Sequence, residues 1–115
     1  MNTEEINKQL KLHDEKIESL ERKLIKIDQE KEQLAHIYEY QNNLKEEIQV
    51  ALNSLDYNQN MDYMNEEIRT LQIHSMKYLE NNGESLLERR NHELNNQDDL
   101  YHKRLKLLVN EEEKQ

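Results

Sequence analysis

Apolar side chains recur along the first half of the chain at alternating steps of four and three. Starting at Ile6, the path visits Leu10, His13, Ile17, Leu20, Leu24, Ile27, Lys31, Leu34, Tyr38, Gln41, Lys45, Ile48, Leu52 and Leu55. Eleven of these fifteen positions are Leu, Ile or Tyr, the spacing of a coiled-coil seam. The pattern predicts one helix over about residues 4–55. Thr3 is a candidate N-cap, and Glu4 and Glu5 stand at the positive end of the helix dipole. Pairs such as Glu4/Lys8 and Glu18/Arg22 follow the favoured i,i+4 order on the wet side.

A second apolar series starts at Met61, Met64, Ile68 and Leu71, and Leu87, Leu94, Tyr101 and Leu108 then recur every seven residues. This predicts a second helix over about 61–112 with the Leu87 series as its seam. The intervening MKYLENNGESLL is weaker, because Gly83 lowers helix propensity by about 1 kcal/mol relative to Ala. A kink, a frayed turn or a break near Gly83 all remain open.

Between the two series lies LDYNQNMDYM, where Asp56, Asn58 and Asn60 favour turns and caps over helix interiors. A turn at about 56–60, with Asn60 capping the next helix and Asp62 in its first turn, leaves arms of nearly equal length. Each would span roughly 75 Å at 1.5 Å per residue. The expected fold class is therefore all-α: a single domain built as a long antiparallel helical hairpin. One continuous helix that dimerises through both halves is the alternative.

Some apolar residues fall beside these seams. Ile37 and Leu44 each precede a seam position of the first arm, while Leu86, Leu100 and Leu107 each precede a member of the Leu87 series. Paired apolar columns broaden a stripe beyond what two helices need. Two helices alone also bury little area. Ile37, Leu44, Leu86, Leu100 and Leu107 are thus expected to form a partner-binding face. Self-association, as a homodimer forming a four-helix bundle, competes with a dedicated helical partner.

Charge removes several functions. The net charge is −9, with 8 basic and 13 acidic residues in 1–57 and 8 and 12 in 58–115. No basic tract exists to follow a nucleic-acid backbone or an anionic membrane. Mean hydropathy is −1.23, and no apolar run approaches the roughly 20 residues of a bilayer span. MNTEEINKQL has no signal-peptide core, so the expected location is cytoplasmic. With no Cys, there is neither a disulfide framework nor thiolate chemistry.

Catalytic and metal chemistry is also hard to place. Carboxylate-bridged metal bundles need paired Glu-x-x-His motifs, and the nearest spacing here is Asp99-x-x-His102. Glu32, His36 and Glu39 share a helix face, a grouping that 25 acidic residues produce by chance. His13 falls on the seam, at what reads as a wet helix end. No phosphate loop or nucleophile–base pair can be picked out, and a helical hairpin offers no obvious catalytic pocket. The expectation is a protein that is not an enzyme and uses no metal or cofactor.

The polar heptads of LKLHDEKIESLERKLIKIDQEKEQL, the mid-chain turn and the closing DDLYHKRLKLLVNEEE together resemble a bacterial family. It comprises the small α-helical LXG-toxin-associated (Lap-type) targeting chaperones of Gram-positive type VII secretion. The resemblance covers most of the chain. It implies an adaptor that binds the N-terminal helical domain of an LXG toxin, beside a second small WXG-like helical protein, and that is co-exported with its partner or stays behind. Related substrates carry an export signal of the form aromatic-x-x-x-acid. Here only Tyr63-x-x-x-Glu67 fits, a match that chance supplies, so the signal is expected on the partner. Outside the family, the same residues suit a self-associating structural coiled coil or another export-type chaperone.

Overall fold

The computed structural model describes residues 2–52 and 59–113, and all of its regular structure is helical. Helix α1 runs Thr3–Leu52 and helix α2 runs Gln59–Glu113. The fold is the expected all-α helical hairpin. Of the expected turn, residues 56–58 lie outside the described residues, as does Leu55 at the end of the first seam. Helix α2 already begins at Gln59, and the side chain of Asn60, expected as its cap, is also outside the description.

Helix α1 is capped one residue earlier than expected. The Asn2 side-chain oxygen accepts the Glu5 N–H at 2.8 Å, and the Asn2 carbonyl accepts the Ile6 N–H at 3.1 Å. Asn2 is therefore the cap and Thr3 the first helical residue. Asn caps at least as well as Thr, so the geometry takes the residue that gives one more turn position. Glu4 and Glu5 occupy the first turn of α1 and Asp62 that of α2. Arg22 and Glu18 pair at 3.2 Å, but both are well exposed and contribute little.

The chain divides into two compact units, Met1–Ile25 with Glu84–Gln115, and Lys26–Gly83. In the first, Ile6, Leu10 and Leu100 form a buried cluster with Leu107 packed against it, and Ile17 and Leu20 are also buried. Polar ties between the helices rise along α1 as they fall along α2. Arg104 Nη1 donates to Asn7 at 3.1 Å, Gln97 donates to Asp14, and Arg90 Nε donates to Glu21 at 3.0 Å. The helices of this unit are antiparallel. The ties also repeat every seven residues on both helices, which keeps them on one side of the seam.

The second unit has a thinner core. Leu79 is buried, while Ile27, Leu34, Tyr38 and Met76 are only partly covered. Gln72 Nε2 donates to Gln41 Oε1 at 2.9 Å, again an antiparallel pairing. The phenol oxygen of Tyr38 is buried with no hydrogen-bond partner among the described residues. Such a group destabilises by its lost hydration.

The α1 seam follows the expected path from Ile6 to Tyr38, all buried or half-buried, and resumes at Lys45 and Leu52. Gln41 and Ile48 turn outward, and Gln49 takes an inward place. The α2 seam differs from expectation. Of the Leu87 series only Leu94 is half-buried, while Leu87, Tyr101 and Leu108 are 46%, 39% and 43% exposed. Met64, Ile68 and Leu71 are exposed too, and the inward column lies one residue before the Leu87 series. It reads Leu79, Gly83, Leu86, Arg90, Glu93, Gln97, Leu100, Arg104 and Leu107, all buried or half-buried. Periodicity selects the more apolar of two neighbouring columns. Pairing selects the one whose polar members meet partners on α1.

Gly83 does not end the helix: α2 is continuous through it, and it has no positive φ. A methyl group added there would lie 3.7 Å from Ile27 Cγ2 and 3.8 Å from Lys31 Nζ, ordinary contact distances. Gly83→Ala should therefore stabilise the protein by about 1 kcal/mol through helix propensity. A raised midpoint in urea denaturation with an unchanged slope is the expected result.

Candidate protein-binding surface

Among the described residues, no group of three or more His, Asp or Glu side chains could hold a metal ion. Glu32, His36 and Glu39 are all exposed, and His102 Nδ1 is engaged with the Asp98 carbonyl of its own helix. Among the described residues, no helix is long and apolar enough to cross a membrane. What the helices do offer is uncovered apolar surface.

The five residues expected to form a partner face do not lie together. Leu100 is 6% exposed, in the core of the first unit beside Ile6 and Leu10, and Leu107 packs against that cluster. Leu86 is half-buried on the same inward column. Ile37 and Leu44, in the second unit, are exposed at 49% and 43%. The adjacent apolar columns thus lie on an outer face of α1 and in the seam of α2.

On the second unit six exposed apolar residues form two columns, while Tyr40, Val50, Tyr63, Ile68 and Ile73 lie outside them. At 100° per residue, Ile37, Leu44 and Ile48 fall along one side of α1, and Met64, Leu71 and Tyr78 along one side of α2. These sides adjoin, because Ile37 and Tyr78 line one groove with Glu30, Leu34, Ser75 and Leu79. Leu71 is 66% and Tyr78 67% exposed, far more than a seam residue. A second groove has another character, lined by Tyr38, Asn42, Lys45, Glu46, Arg69 and Gln72 among others. Met64 and Leu71 belong to the apolar series that the sequence places at the start of the second seam; the structure turns both outward, and Tyr78 continues their column seven residues after Leu71.

On the first unit α1 exposes Leu12 and Ile25 singly, and α2 exposes Leu87, Tyr101, Leu105, Leu108 and Val109. The Arg104 guanidinium lies 5.0 Å from the centre of the Tyr101 ring and covers part of it. The facing side of α1 carries Asn7, Asp14 and Glu21, so this unit has no paired apolar columns.

His13 is not at a wet end. Its Nδ1 hydrogen-bonds the Glu93 carboxylate, with both side chains more than four-fifths covered. That bond holds the Glu93 carboxyl below its usual range. Burial pushes the other way, and the nearby charges of Lys16, His13 and His92 add to the lowering. Comparison with protein-family models, curated proteins and solved structures finds no match to this chain.

The reassigned seam has a direct consequence. Leu100→Ala should cost about 2–4 kcal/mol, as a buried truncation does, whereas Leu108→Ala should cost less than about 1 kcal/mol. Equal costs in urea titrations would restore the Leu87 series as the inward column.

Glu93 adds an acid dependence. A carboxylate with a depressed folded-state pKa adds stability above its unfolded value, about 4.3. That stability is lost as pH falls through the lower folded value. The melting-temperature gap between the wild type and Glu93→Gln should therefore be full at pH 6 and narrow steadily below about pH 4.3. A gap that is flat across this range would show that the His13 contact carries no linkage.

Proposed function

We propose that the chain is a non-enzymatic helical adaptor, a targeting chaperone that holds the N-terminal helical domain of an LXG-type toxin for type VII secretion. A second small WXG-like helical protein would share the complex. The observation that supports a binding role is the pair of adjoining apolar columns on the second unit, Ile37–Leu44–Ile48 and Met64–Leu71–Tyr78. Two helices lying side by side form a groove in which a third amphipathic helix seats its anchors at i, i+3, i+4 and i+7. The toxin class comes from the sequence resemblance, and cytoplasmic action before export follows from the same reading. Ile37 and Leu44 remain in the proposed surface, and Leu71 and Tyr78 join them.

A self-associating structural coiled coil would use the same columns, so the test must separate the two. The full chain is co-expressed with the LXG domain encoded nearest to its own gene, and tagged toxin domain is recovered. The expected result is a stable complex at defined stoichiometry. Ile37→Glu with Leu44→Glu should lower its affinity at least 100-fold, since each buried Leu or Ile is worth about 1.5–3 kcal/mol. Helicity by circular dichroism should persist, because both side chains are exposed in the free chain. Absence of a complex, with the chain assembling only with itself through these residues, would favour the structural coiled coil.

A further inference from the structure

We propose that the occupant of the Ile37–Tyr78 groove is an amphipathic helix whose apolar stripe is edged by Lys and Arg. This rests on the reading of the groove as a helix-binding site and adds the chemistry of what it selects. The apolar columns are bordered by acid. Glu30 lines the groove itself, Glu47 stands three residues after Leu44, and Glu67 stands between Met64 and Leu71 at three and four residues' distance. No Lys or Arg lies three or four residues from Ile37, Leu44, Met64, Leu71 or Tyr78, although Lys45 stands three residues before Ile48 and His74 lines the groove. Lys45 and Arg69 line a different groove.

The unit as a whole points the same way. Residues 26–83 hold 5 basic and 11 acidic side chains, a net of −6 out of the chain's −9. A second copy of this chain would bring Glu30 to the same groove and Glu47 and Glu67 to the same column borders, and like charges opposed across an interface select against a partner. An anionic membrane would be repelled for the same reason. A helix with basic edges gains at every border position. Its apolar stripe takes the place of water over Ile37, Leu71 and Tyr78.

The test uses two synthetic helical peptides with one Leu stripe, edged by Lys in one and by Glu in the other, titrated against the full chain by fluorescence anisotropy. The Lys-edged peptide should bind at least about tenfold tighter at low salt, with the preference shrinking as salt rises. Glu47→Lys with Glu67→Lys should reverse the preference, while Ile73→Ser, in the other groove, should leave it unchanged. Equal affinity for both peptides, or a preference indifferent to the charge swap, overturns the proposal and leaves the docking reading standing. Failure of both peptides overturns the two together. Disulfide cross-links between copies through Ile37→Cys would then identify a second copy as the occupant.

Discussion

The first unit depends on polar residues placed inside an apolar seam at heptad spacing. Arg90, Gln97 and Arg104 occupy the inward column of α2, and Glu21, Asp14 and Asn7 receive them from α1. Of these groups Gln97 is buried, and without Asp14 its amide would stand dehydrated and unpaired, while the Arg90 and Arg104 ties lie at the more exposed edge of the seam. A slip of one residue breaks all three at once. A slip of one heptad that brought Asp14 opposite Arg104 would set Ile6, now fully buried, against the Glu111–Glu113 run. The ties and the Ile6–Leu10–Leu100 cluster therefore specify one register between them.

Because the seam uses polar residues, apolar ones are left for the outside. A helix pair that buried all its Leu and Ile between its own helices would have nothing to offer a third. Here α2 sends Arg90, Glu93 and Gln97 inward and leaves Leu87, Tyr101 and Leu108 more than a third exposed. In the second unit the exchange goes further: Gln72 and Asn65 face inward while Leu71 and Met64 beside them face out. Stability given up in the seam becomes surface available for binding.

This exchange also explains which parts of the fold could be read in advance. The α1 seam was legible from Ile6 to Tyr38 because its inward residues are mostly apolar, so hydrophobic period and geometry coincide. The α2 seam was not, because its inward residues include Arg90, Glu93 and Gln97, which score as surface. Their inward placement depends on partners some 70 to 100 residues away, which a local pattern does not contain. Continuity through Gly83 was left open by propensity and is decided by packing, since Gly83 is buried against Ile27 and Lys31. The cap moved from Thr3 to Asn2 because both residues are capable and only geometry chooses. The exposure of Ile37 and Leu44 was legible, since they flank a seam that the structure keeps. Leu100 and Leu107 were assigned outward only because their neighbours had been assigned inward.

The same reasoning separates stability from recognition in the second unit. Its core is thin, with Leu79 buried and Tyr38 carrying a phenol oxygen that lacks a partner among the described residues. Covering Ile37, Leu44, Leu71 and Tyr78 would add apolar burial where the free chain has least of it, at about 25 cal/mol per Å². A ligand that binds only the folded form stabilises that form by mass action. The gain from an occupant would therefore be felt most by the unit that carries the groove. The heptad ties of the first unit hold its register whether or not the groove is filled. Order in the first unit comes from within the chain, and an occupant of the groove would add to that of the second.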